Sequence, residues 1–303
     1  MAQREAHLQV VVGTQGGGKT YATNEIIKYY PHKQNRPVLI FDVNSEYTDY
    51  PTLDYDIGID SRSKRAKNFQ LLKNTKKVVR ILGLKKNKQP MSMDEKKETL
   101  ITIGDYFPRG LVVLEDVNNY ERNFDSGQVL STIVNFRHKG GGAGVDCIAH
   151  FQSVQILRGI LMANAKYIRM HFTQDDPVKI KNRLSNYTNI QLGYLTVKRN
   201  YFKAVQYLYD IGMTIDDYKM VLASKDKALK EKKLRNIDQS IANLAFYNCL
   251  IGITSPALYN ISEQDLKESL LEYYTHYDKA LQKQKDKDAF LSSEFNKYKY
   301  FLK

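Results

Sequence analysis

Val10-Val11-Val12-Gly13-Thr14-Gln15-Gly16-Gly17-Gly18-Lys19-Thr20 decides how this chain is read. Residues 7–12 end in a β-branched run that feeds directly into G-x-x-x-x-G-K-T. Tyr21 to Lys28 then reads as a helix, which Pro31 is expected to end. Strand, glycine-rich loop and helix form the context this pattern needs to bind phosphate. The glycines let the backbone curl so that successive N–H groups point at phosphate oxygens. The helix N-terminus adds partial positive charge to the same place. Gly13, Thr14, Gln15, Gly16, Gly17 and Gly18 are therefore the expected cradle. Lys19 is expected on the β- and γ-phosphates and the Thr20 hydroxyl on Mg²⁺, making ATP and Mg²⁺ the expected cofactors.

Strand and helix signals alternate on either side of this motif. Pro37 to Val43 is a near-continuous apolar run, as in a strand buried on both faces of a parallel sheet. Residues 48–74 look polar and irregular. Further strands are expected at Lys76–Leu82, Leu111–Leu114, Val145–Phe151 and Lys166–Phe172. Helices are expected at Met93–Phe107, Gln128–His138 and Ser153–Asn164. This alternation predicts an α/β fold with a mostly parallel sheet, and ligands gather at the carboxyl ends of such strands. The core is expected to span residues 1–175, with an outer limit near 212. Residues 176–303 read as a basic, mainly helical region, with helices at Pro177–Asn186, Asn200–Ile211, Ile215–Ile251, Glu263–Gln284 and Asp288–Leu302. Within it, Ile241 to Tyr259 is the most apolar stretch. Asn243, Asn248, Ser255 and Pro256 make it a buried helix rather than a membrane span.

Composition narrows the partners. The 303-residue chain is 42% hydrophobic, enough for a sizeable core. Its net charge of +13, from 46 Lys and Arg against 33 Asp and Glu, suits a phosphate-rich partner. A solubilising surface is the alternative. Charge alone does not separate DNA from RNA or from an anionic membrane. Cys147 and Cys249 have no metal-ligand spacing around them, and Met1 to Glu5 lacks the apolar core of a signal peptide. A reducing, cytoplasmic location is expected. Lys225, Lys227, Lys230, Lys232, Lys233 and Arg235 form a dense cluster, and Tyr273, Tyr274, Tyr277, Tyr298 and Tyr300 recur near the end. Such residues could hold a nucleic-acid backbone, or form a solvated helix or a subunit contact.

A phosphate loop that hydrolyses its nucleotide needs carboxylates for Mg²⁺ and for the attacking water. Leu111-Val112-Val113-Leu114-Glu115-Asp116 supplies a strand ending in paired acids, the Walker B requirement. The common order is Asp then Glu, and here it is reversed. Glu115 is assigned to Mg²⁺ and Asp116 to water activation, with exchange of the two, and so Asp116 on the metal, left open. Gln152, at the end of the next strand, can donate to a γ-phosphate oxygen or hold that water, and is the sensor candidate.

These motifs in order resemble the FtsK/HerA superfamily of DNA-pumping ATPases, which includes viral genome-packaging and conjugation motors. The resemblance rests on Gly13 to Thr20, Phe41-Asp42-Val43-Asn44-Ser45-Glu46-Tyr47, Leu114-Glu115-Asp116, Asn135-Phe136-Arg137-His138-Lys139-Gly140 and the strand ending in Gln152. It implies a RecA-like core, assembled as a ring with ATP between subunits. It also implies that Glu46 is a further acid facing the nucleotide. Arg137 becomes the candidate arginine finger, with Arg158 and Arg169 as rivals.

The expected function is an ATP-hydrolysing motor that translocates or packages nucleic acid, most plausibly duplex DNA, as a homo-oligomeric ring. Loops 85–89 and 139–144 are candidates to touch its backbone. Partners could include portal, capsid or other assembly proteins, and virion association is expected if the chain is viral. The alternative is an ATP-binding switch or structural assembly protein with weak hydrolysis, which the reversed acids favour. A membrane-anchored exporter lacks its span here, and a small-molecule kinase fits the strand order less well.

Overall fold

The computed structural model describes residues 6–57, 60–120, 127–138, 144–157, 159–184, 186–255, 257–299 and 302. Five strands alternate with helices before the sixth: β1 (Leu8–Val12), α1 (Lys19–Gln34), β2 (Val38–Asp42), α2 (Arg62–Gln70), β3 (Val78–Leu82), α3 (Met93–Tyr106), β4 (Gly110–Leu114), α4 (Gly127–Asn135), β5 (Val145–Phe151), α5 (Gly159–Asn164) and β6 (Tyr167–Met170). The remainder carries α6 (Tyr187–Asp210), α7 (Ile215–Ala223), α8 (Lys227–Leu234), α9 (Gln239–Ala242), β7 (Cys249–Gly252), β8 (Leu258–Tyr259), α10 (Glu263–Glu272) and α11 (Lys287–Lys299). Strand order is β3-β2-β4-β5-β1-β6-β7-β8. The pairs β2–β3, β2–β4, β4–β5 and β1–β5 are parallel, while β7 and β8 pair antiparallel. This is an α/β, RecA-like P-loop NTPase core followed by a mainly helical region.

Two compact units divide the chain. One comprises Met1–Val12, Lys19–Ile168 and Asn182–Ser185; the other comprises Gly13–Gly18, Arg169–Lys181 and Asn186–Lys303. In the first, β2, β4 and β5 are buried along their whole length, as their continuous apolar sequences require. Val11, Ile27, Tyr30, Val38, Ile40, Tyr47, Leu111, Val113 and Ile148 pack together there. In the second, Leu208, Tyr218, Ile237 and Ala242 form a core that Phe246 joins from its edge.

Four expectations need correction. Helix α1 does not stop before Pro31 but runs to Gln34 with Pro31 buried inside it. A proline there costs about 3 kcal/mol. Packing opposes that cost: Tyr30 beside it is buried, and its hydroxyl donates to Asp146 at 2.5 Å. The stretch 48–74 is not wholly irregular, because Ser61 accepts from the Lys64 N–H and starts α2. Ser153 to Asn164 is a 3₁₀ turn, Val154–Ile156, and then the short α5. Finally, Ile215 to Ile251 is not one helix. Asp226 and Asp238 cap fresh helices, and the run 241–259 is helical only to Phe246 before it becomes the β7–β8 hairpin. Its closure is marked by the Gly252 N–H donating to the Ala257 carbonyl at 2.7 Å.

Candidate active site

Strand β2 ends in Asp42, a fully buried carboxylate that organises the turn after it. Asp42 accepts from the backbone N–H groups of Glu46 (2.8 Å) and Tyr47 (3.2 Å) and pairs with Arg80 of β3 at 2.8 Å. The turn brings Glu46 against the start of α1, where the Thr20 hydroxyl donates to its carboxylate. It also brings the Asn44 N–H to Glu115, which accepts it at 3.0 Å. Neighbouring parallel strands thus deliver Glu46 and Glu115 to one place. That is the geometry expected at carboxyl ends in an open α/β sheet.

Strand β4 delivers the paired acids, both buried. Asp116 sits in the left-handed region (φ 45°, ψ 61°), a conformation that costs a non-glycine residue of order 1–3 kcal/mol. The Tyr120 hydroxyl braces the bend by donating to the Glu115 carbonyl at 2.5 Å. Two side-chain amides then meet one Asp116 oxygen: Gln152 Nε2 at 2.8 Å and Asn119 Nδ2 at 2.7 Å donate to Oδ2. The other oxygen, Oδ1, is buried and has no hydrogen-bond partner among the described residues. A buried unpaired carboxylate oxygen is costly unless something fills the place.

The electrostatics follow from crowding. Burial, then the charge of Glu46, with Asp42 adding to it, pushes the Glu115 carboxyl up to about 9. Burial lowers the Lys19 ammonium, opposed by Glu46, Asp116 and Glu115. Three acids around one half-buried lysine make a site whose charge balance changes when a polyphosphate and a cation enter. Thr20, Glu46, Glu115 and Asp116 offer oxygen donors only, the set that suits Mg²⁺. Among the described residues no group of three or more His, Cys, Asp or Glu forms a ready metal cage. Mg²⁺ rarely uses one, since substrate phosphates complete its shell.

The loop 13–18 has its own supports within the second unit. The Thr14 N–H donates to the Phe172 carbonyl at 2.9 Å, and His171 Nδ1 donates to the Gly17 carbonyl at 2.9 Å. Gly16 and Gly18 have φ of +70° and +86°, which side chains resist. A Cβ on Gly13 would stand 2.6 Å from the His171 Cβ.

Arg137 is not hydrogen-bonded to the acids among the described residues. It is exposed in a 3₁₀ turn, Phe136–His138, with its Nε donating to His138 Nε2 at 3.0 Å. Arg169 is mostly buried and donates to Asn248 at 2.6 Å, so its rival reading as a finger loses its free cation. Arg158 and residues 139–143 lie outside the described residues. In loop 85–89, Lys85 pairs with Glu95 and Lys86 with Asp54. Tyr273, Tyr274 and Tyr298 are buried, their hydroxyls engaged with Thr188, Glu294 and Asn189, so none offers a stacking face. Tyr300 lies outside the described residues. Sequence reading missed Asn119, Arg80 and the organising role of Asp42. Only the buried acid before the Glu46 turn could have signalled the last.

The strand order and the glycine-rich loop between β1 and α1 give the fold class of a RecA-like P-loop core. No protein-family model matches the chain, and no curated protein matches its sequence. Among solved structures, it is similar to the genome packaging NTPase of Sulfolobus turreted icosahedral virus 2 in complex with ATP-gammaS. That match is 18% identical over 60% of this chain and 82% of that one, with a TM-score of 0.39. It is also similar to the N-terminal domain of zonular occludens toxin from Neisseria meningitidis, at 13% identity, 59% and 91% coverage and a TM-score of 0.30. A KaiC-like protein from Pyrococcus horikoshii matches at 15% identity, 55% and 72% coverage and a TM-score of 0.33. No helix among the described residues is long and apolar enough to cross a membrane.

Proposed function

We propose that this chain is an ATP-hydrolysing motor of the FtsK/HerA type that translocates or packages duplex DNA as a ring. The observation that carries the ATPase reading is the convergence of Glu46, Glu115 and Asp116 around Lys19, with Thr20 and Gln152 hydrogen-bonded into the same set. In this reading loop 13–18 and Lys19 hold the phosphates. Thr20, with Glu115 or Asp116, holds Mg²⁺, which when bound neutralises charge on the β- and γ-phosphates. The unpartnered Oδ1 of Asp116 suits it to a water or to the cation. Gln152 and Asn119 fix the carboxylate from its other side, so the group is oriented before any ligand arrives. Glu46 would exchange the Thr20 hydroxyl for the metal's water shell.

Support for a nucleic-acid partner comes from charge. The net +13 is matched by a surface helix, α8, with no buried residue and with Lys227, Lys232 and Lys233 exposed. Lys225 and Arg235 flank it and are exposed as well. An exposed Arg137 is what a finger acting on a neighbouring subunit requires. Filter binding with a labelled duplex at two salt concentrations tests the partner. The motor reading expects retention at about 50 mM salt that falls at least tenfold by about 200 mM. No retention at the lower salt would contradict it.

A further inference from the structure

The sequence motif assigns one lysine to the phosphates. The structure places a second against the same loop. Lys219 lies on α7, 200 residues beyond Lys19 in the numbering of the chain. A Cβ built on Gly16 would stand 2.9 Å from Lys219 Nζ and 3.5 Å from its Cε. The ammonium therefore lies beside the loop tip, where a side chain at Gly16 would project, and Gly16 itself holds a φ of +70°.

The position is held by packing. Tyr218, fully buried, anchors α7 by stacking on Phe246 (6.2 Å, 24°) and donating its hydroxyl to Asn243 at 2.8 Å. Phe246 in turn backs the loop, since a Cβ on Gly18 would stand 3.3 Å from its Cβ. A capping box between Thr214 and Asp217 fixes the start of the helix. Neighbouring residues of the anchored helix thus do two jobs: Tyr218 is buried, and Lys219 reaches the loop. The lysine pairs with Asp216, at 3.1 Å within the same helix. That carboxylate is 86% exposed, so the pair contributes at most about 1 kcal/mol and yields readily to a stronger anion.

We propose that Lys219 is a second phosphate-binding cation, supplied by the C-terminal region to the polyphosphate tail of the bound nucleotide. This deepens the ATPase reading of the loop and rests on it. The exchange is ionic: the ammonium leaves Asp216 for a phosphate oxygen, and no covalent bond changes. A charge-assisted contact to phosphate is worth enough to shift affinity roughly ten- to a hundredfold.

The test is equilibrium titration of the full chain with a fluorescent ATP analogue, for wild type, Lys19→Ala, Lys219→Met and Lys219→Arg. Lys219→Met keeps the stem and removes the charge. It is expected to weaken binding roughly tenfold or more, with Lys219→Arg within roughly threefold of wild type. A second measurement uses the unaltered protein: an amine-reactive label read by mass spectrometry should modify Lys219 less when MgATP is present. Lys219→Met binding as wild type does, or more tightly as if a gate had been removed, would overturn the proposal. So would labelling of Lys219 that MgATP leaves unchanged. If Lys19→Ala loses binding while Lys219→Met keeps it, only the second lysine is refuted. If wild type binds no nucleotide, the ATPase reading falls with it.

Discussion

The amide of Gln152 donates to Asp116 at 2.8 Å, tying the end of β5 to the end of β4. In the proposed mechanism Gln152 thereby acts on the acid that orients water or metal. Gln152→Ala should lower kcat about ten- to a hundredfold while shifting nucleotide affinity less than about threefold. Steady-state hydrolysis alongside nucleotide titration separates the two. An equal loss in both would mean that Gln152 binds ligand instead.

Glu115 carries a carboxyl raised to about 9 from an ordinary 4.5. Its folded-state value lies above its unfolded one. The folded protein therefore keeps a proton that the unfolded chain releases once pH passes the ordinary value, and stability falls as pH rises toward about 9. Glu115→Gln removes that penalty and keeps an oxygen for the Asn44 N–H. Without nucleotide, the variant should melt about 2 °C or more above wild type near neutral pH, with the gap widening as pH rises. Its ATP turnover should be lost. Thermal melts across pH check the first expectation.

Asp42 and Arg80 form a pair that is nearly inaccessible to solvent, 0% and 13% exposed at the side chain. Asp42→Ala strands the guanidinium and frees two backbone N–H groups, so it should cost about 3–5 kcal/mol by denaturant unfolding. Asp42→Asn should cost less and still displace Glu46. In that variant MgATP should stabilise the protein less than it stabilises wild type.

Arg137 makes no ion pair among the described residues and is exposed, so Arg137→Ala should change stability by less than about 0.5 kcal/mol. Its ATP binding should persist while turnover falls about a thousandfold, if it completes a neighbour's site. Mixing it with Lys19→Ala should restore part of the activity, because each variant supplies what the other lacks. No recovery in any ratio would contradict the finger.

What could be read in the sequence was what adjacent residues specify. The strand, loop and helix around Lys19 and the apolar runs of β2, β4 and β5 are local signals, and they fold as expected. Contacts distant in sequence overrode the weaker ones. Tyr30 and Asp146 hold α1 through a proline that alone would end it. Residues 241–259 are apolar enough for either a helix or a hairpin, and periodicity does not choose between them. Gly252 and the β-branched Ile251 and Ile253 were the quieter sign of the hairpin. Among the proposed site residues, Glu46 comes from resemblance and Gln152 from strand position. Lys219 carries no motif at all. Its place beside the loop comes from Tyr218 and Phe246, which pack its helix there.

The account rests most directly on ATP turnover by the purified protein, measured with and without duplex DNA, with Lys19→Ala as the blank. It predicts hydrolysis that duplex DNA stimulates and that the variant abolishes while keeping its native circular dichroism. Nucleotide binding with negligible turnover, unchanged by DNA, would contradict the motor and leave an ATP-binding switch or assembly protein in its place.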